Sequence, residues 1–99
     1  MQLGQIVFYT LDARDAQEIQ RQRRLGKQLG NALEEPTTFP AMIVKVNFNE
    51  FGTNQHGVNL RVFLDGSDLL WVTSRIYDER GTLGTWRLHE KAQAVLHAP

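Results

Sequence analysis

The side chains best able to do chemistry in this 99-residue chain are scattered along it. Its three histidines, His56, His89 and His97, show no His-x-x-x-His pair and no carboxylate at helical spacing, so they do not outline a zinc site. Asp65 and Asp68 flank a glycine-containing turn closely enough to touch a hard cation, but two carboxylates fall well short of a calcium shell. The simpler reading makes Asp65 a turn former and Asp68 a cap on its far side. There is no Gly-x-Ser-x-Gly elbow and no phosphate-binding loop. With no cysteine, thiol nucleophiles, thiolate metal sites and disulfides are absent as well. Nothing assembles a nucleophile, a base and an oxyanion site. The expectation is a non-enzymatic protein without a metal or cofactor.

Binding chemistry is better represented. Arg21, Arg23, Arg24 and Lys27 form a local basic cluster, and Trp71 and Trp86 offer flat stacking walls. Polar residues interrupt otherwise apolar segments at Asn59 and at Thr73-Ser74. A small anionic, planar ligand such as a nucleotide needs only two or three cations and one stacking surface. In that reading Arg21 and Arg24 meet phosphate, Trp71 or Trp86 stacks, and Asn59, Asn31 and Ser74 supply polar contacts. Each residue also has a purely structural reading. The arginines can be a solvated helix end, the tryptophans can be core, and Asn59 can satisfy a backbone group at a strand bend.

Composition narrows the setting. Eleven Lys and Arg against eleven Asp and Glu leave no net charge, which argues against non-specific nucleic-acid binding through a basic surface. Hydrophobic residues at 41% and charged ones at 22% are ordinary for a soluble globular domain, and the length fits one domain over 1–99. No apolar run is long enough to span a bilayer, and MQLGQIVFYT lacks the marks of a signal peptide. The absence of cysteine fits a reducing, cytoplasmic setting.

The elements that must position these residues can be read from periodicity. Residues 3–9 are rich in β-branched and aromatic types, with Leu3, Gln5, Val7 and Tyr9 on one face and Ile6 and Phe8 on the other. Helix formers dominate 10–33, and acidic residues precede basic ones, as the helix dipole favours. Asp12 and Asp15 make a capping box with Asp in place of the usual Glu. A helix is predicted over about 12–25, followed by a looser segment. Residues 34–40, with two prolines, read as a connection. Residues 41–48 form a strand with Met42, Val44, Val46 and Phe48 on one face and Ile43, Lys45 and Asn47 on the other. In 57–64, Val58, Leu60, Val62 and Leu64 point inward and Asn59, Arg61 and Phe63 outward. Asp65-Gly66 is a strong hairpin signal leading into 67–76. Residues 85–88 form a short last strand, and 90–99 a loose tail. The fold expected is mainly β (α+β), a small, partly open barrel of SH3-like type with about five strands, its helix inserted between the first and second.

Ile43 and Phe63 fall opposite the presumed core stripe, and 69–72 is apolar on both faces. One small core and a thin helix stripe cannot cover that much surface. A homo-oligomer is therefore expected, with Ile43, Phe63 and Leu69 at its interface.

The run VNLRVFLDGSDLLWVTS followed by GTW, together with LGQIVFYTL, RQRR, the Gly30-Asn31 pair and FPAMIVKV, resembles a family of small proteins encoded by tailed phages and prophages. The likeness covers about two-thirds of the chain. It is loose around 26–38, and Trp86-Arg87-Leu88 departs from the more aromatic ending of the family. The resemblance implies a virus-encoded SH3-like protein in the host cytoplasm that acts by binding. Antagonism of host defence by sequestering a nucleotide-like ligand is the leading expectation. A protein-interaction module meeting a host or virion protein is the alternative, and a weak single-stranded nucleic-acid binder is a third.

Overall fold

The structure is a computed structural model and describes residues 1–26, 30, 33, 37–52 and 55–88. Strand β1 (Ile6–Thr10) is followed by helix α1 (Ala13–Gly26), and then by β2 (Thr38–Asn47), β3 (Gly57–Phe63), β4 (Leu69–Arg75) and β5 (Trp86–Leu88). The strands form one antiparallel sheet in the order β4-β3-β2-β1-β5. Beyond β4 the chain turns back onto β5. Trp86 N–H donates to the Ile76 carbonyl at 3.2 Å and Asp78 N–H to the Trp86 carbonyl at 2.9 Å.

The helix forms where helix formers follow the Asp12 cap. Asp15 N–H donates to Asp12 Oδ1 at 2.8 Å, and Asp12 N–H donates back to Asp15 Oδ2 at 3.1 Å. The capping box is thus closed in both directions, with Asp at its third position. The helix buries Asp15, Ala16 and Ile19. Ile19 joins Val7, Tyr9, Leu11, Ala41, Ile43, Val58, Leu60, Val62, Leu70 and Val72 in the core. Each Val, Leu or Ile among them, fully buried, contributes about 1.5–3 kcal/mol.

Both helix ends are tied down by ion pairs. At the first turn Asp15 accepts from Tyr9 OH and from Arg75 Nη2, while Arg75 Nε donates to Tyr9 OH at 2.9 Å. At the last turn Arg23 donates through Nε (2.8 Å) and Nη2 (3.2 Å) to the buried Asp68, just before β4. The helix therefore spans the inner side of the sheet from the end of β1 to the β3–β4 connection.

Three expectations change. Ile43 is fully buried. Ala41 and Ile43 supply the inward stripe of β2, and a β-bulge between Ile43 and Lys45 then shifts the phase. Ile43 cannot belong to an oligomer interface. Residues 38–40 are strand rather than connection. Pro40 pairs with Phe8 of β1, whereas pairing with β3 begins only at Ala41, so on its other side proline breaks no ladder. The Asp65-Gly66 turn lies in a longer connection, 64–68, in which Leu64 and Asp68 are both buried. Asn31, Lys27 and the tail 90–99 lie outside the described residues.

Candidate functional site

The basic helix end does not stand free. Arg21 is bound by Glu18, with Nη2 2.6 Å from Oε1, and Arg23 is taken up by Asp68. Hydrogen bonding from Arg21 also lowers the Glu18 pKa. Arg24 is exposed on the same helix. Trp86 is 3% exposed and meets Tyr77 edge-on at 5.0 Å, so it has no open face for a ligand. Its departure from the stacking role has a simple cause: it sits between the β1 pairing and the Ile76–Asp78 return.

Asn59 and Ser74 are brought together, but as structural partners. Bulges interrupt both neighbours of Asn59, between Ile43 and Lys45 on one side and between Val58 and Leu60 pairing on the other. Ser74 has left-handed backbone (φ 57°), an uncommon conformation for a residue with a β-carbon. The Asn59 carboxamide oxygen accepts Ser74 N–H at 3.1 Å and Asn47 Nδ2 at 3.2 Å. Ser74 Oγ in turn binds Glu50. Glu50 Oε1 lies where a β-carbon on Gly57 would stand, so glycine there lets the carboxylate approach.

Next to this network is a cleft of about 340 Å³ lined by Phe51, Gln55, Ser74, Arg75, Ile76 and Gly84. Its arginine is committed. Arg75 also donates to the Thr73 carbonyl at 3.0 Å, besides Tyr9 and Asp15. Burial works against the Arg75 charge, yet the Tyr9 and Asp15 contacts outweigh it and its pKa is raised. Burial, reinforced by the hydrogen bond to Asp15, pushes the Tyr9 phenol well above its ordinary range. With Glu50 alongside, the cleft offers an anion little net attraction.

The outer face of the sheet is different. In the register, Trp71 lies opposite Arg61, Arg61 opposite Met42, Met42 opposite Ile6, and Phe63 opposite Leu69. Lys45 pairs with Asn59, which places it diagonally from Arg61, at about 7–8 Å. Trp71 is 60% exposed, with Phe63 at 38% and Leu69 at 44%. Neither Lys45 nor Arg61 has an ion-pair or hydrogen-bond partner among the described residues. On β5, Arg87 lies 5.1 Å from the centre of the Phe8 ring.

The charges of the chain are sorted. The five strands contain Lys45, Arg61, Arg75 and Arg87 but no aspartate or glutamate. Arg75 is turned inward and matched by Asp15. The other three share the outer face with the exposed tryptophan. A neutral total conceals this: every acidic residue among the described ones lies outside the strands. Among the described residues no three metal-capable side chains come together, and no helix is long and apolar enough to cross a membrane.

Fold and face together define a small five-stranded antiparallel β protein, braced by one helix and carrying a cationic, aromatic sheet surface. Comparison with protein-family models, curated proteins and solved structures returned no match.

Proposed function

We propose that this protein is a non-catalytic binding module that uses the outer face of its sheet to capture a small, planar, anionic ligand of nucleotide type. The carrying observation is the charge sorting: Arg61, opposite the open ring of Trp71, and Lys45, one strand further in, have no ionic partner among the described residues and lie on strands that hold no carboxylate. Trp71 stacks on the base, and Arg61 and Lys45 meet the phosphates. Base–aromatic stacking contributes about 1–3 kcal/mol, and hydrogen bonds to charged groups about 1.5–3 kcal/mol each. The phosphate role thus moves from Arg21 and Arg24 to residues on rigid central strands. The strand order and the closure of the post-β4 chain onto β5 support an SH3-like, partly open barrel. In the phage-encoded setting that the sequence resembles, such a module removes a nucleotide signal in the host cytoplasm by holding it.

The test is a thermal-shift panel of mono-, di- and cyclic nucleotides, read with Trp71 fluorescence. A bound nucleotide at about 100 times its dissociation constant adds about 2.7 kcal/mol, or about 10–20 °C in Tm. The Lys45→Ala/Arg61→Ala double variant loses that shift while its ligand-free Tm stays within about 2 °C. No shift across the panel overturns the reading. Binding only to single strands, falling steeply with salt, replaces it with a nucleic-acid reading.

A second reading rests on its own observation. Ile6, Met42, Phe63 and Leu69 extend the outer face as apolar surface away from Lys45, and a protein partner fits that half better than a nucleotide does.

A further inference from the structure

The sheet has two edges, and they are not alike. At one, β5 is only three residues long, carries Arg87, and is flanked by the chain's own Ile76–Asp78 segment through the Trp86 N–H and carbonyl. That edge is partly covered by the molecule itself. At the other, β4 pairs with β3 alone, and among the described residues no strand or bridge lies along the outside of Leu69–Thr73. Edge strands in stable monomers are usually blunted by lysine, proline or an inward charge. The run Leu69-Leu70-Trp71-Val72-Thr73 has none of these, and its bulge comes only at the Ser74 end.

We propose that the open edge of β4 pairs antiparallel with the β4 edge of a second copy, giving a two-fold dimer with one continuous sheet. The identity of the occupant follows from the two edges together. Because β5 is three residues long and Ile76–Asp78 already takes up the outward groups of Trp86, it leaves little strand for the β4 of another copy to pair with head-to-tail, as rings or filaments would need. A β4–β4 contact is isologous and closes at two subunits. Antiparallel pairing also sets inner side chains beside inner ones. Leu70 and Val72, buried in each core, then line a shared floor, and Leu69 and Trp71 join on the outer side. Arg61 is one strand in from the edge. Its counterpart lies three strand spacings away, about 14 Å, beyond the screening length at physiological salt, so like charge does not oppose the contact. This goes beyond the nucleotide reading and stands without it, since no ligand takes part.

The test is mass measurement by light scattering from about 10 µM to about 1 mM, a range suited to a short strand–strand interface. It is paired with amide hydrogen exchange at both ends of that range on the unmodified chain. Twice the chain mass at high concentration is expected, with exchange slowed at least about tenfold for the open-edge amides of residues 69–73 and unchanged elsewhere on the sheet. Leu69→Lys returns the chain to a monomer, while Phe63→Ser, on β3, leaves the dimer intact. A monomer throughout, with exchange independent of concentration, overturns the proposal. So does a dimer that Phe63→Ser abolishes and Leu69→Lys spares, because that dimer joins through the faces. The exchange measurement needs no variant, so the outcome does not hang on the folding of Leu69→Lys.

Discussion

The two sides of this one sheet solve opposite problems. On the inner side every element is tied to another. Asp15 caps the helix, accepts from Tyr9 and holds Arg75, while Arg23 reaches across to Asp68. Charges there are buried, so each needs a partner to offset its lost hydration. On the outer side Lys45 and Arg61 have no such partner among the described residues, and Trp71 is 60% exposed. Folding does not require that arrangement, because nothing on the inner side rests on it. Alternation along the same strands thus puts the residues that hold the fold on one face and those of the proposed binding role on the other.

Substitutions on the two faces should break apart along this line. The largest effect falls on the inner face: Leu60→Ala, at the centre of the core, costs about 2–5 kcal/mol in urea unfolding. A comparably large loss from Trp71→Ala would erase the distinction; the expected change there is within about 0.5 kcal/mol. Asp15→Ala comes next, at about 2–3 kcal/mol, since it opens the capping box, removes the acceptor of the Tyr9 hydroxyl and takes the carboxylate from Arg75. Tyr9→Phe costs about 1–2 kcal/mol.

Alkaline pH sharpens the same contrast without a large perturbation. The Tyr9 phenol is held protonated by burial and by its bond to Asp15, so its folded pKa lies above the unfolded value of 10.0. The folded state then retains a proton that the unfolded state releases. That stabilisation is complete below about pH 10 and is lost as pH rises beyond it. Unfolding midpoints measured between pH 9 and about 11.5 should fall more steeply for the natural chain than for Tyr9→Phe. Parallel curves would contradict the assignment. The smallest effect belongs to the helix surface: Arg21→Ala/Arg24→Ala should leave nucleotide affinity within about twofold, because Arg21 is bound to Glu18 and neither belongs to the sheet face.

Much of the inner side is legible in the sequence. The Asp12–Asp15 box, the helix over about 12–25 and the alternation through Val58, Leu60 and Val62 are local signals, and local signals survive folding. The inward face of β2 is not legible in the sequence, for a physical reason. Apolar residues occur at both parities of 41–48, and the inward side passes from Ala41 and Ile43 before the bulge to Val46 after it. Long-range pairings are not legible: Arg23 meets a carboxylate 45 positions away, and Arg75 meets Tyr9 across 66. The cationic face did leave a trace, in strands without a single carboxylate. A net charge of zero hid it, because summing over the chain discards where the charges lie.

The most direct test of the central claim is to map, by amide chemical-shift perturbation, where the nucleotide that gives the largest thermal shift touches the chain. The strongest changes are expected at Lys45, Arg61 and the Trp71 indole, with none along α1 or in the cleft beside Arg75. Perturbations centred on Arg21 and Arg24, or on Ser74 and Arg75, with the outer strands silent, would contradict it.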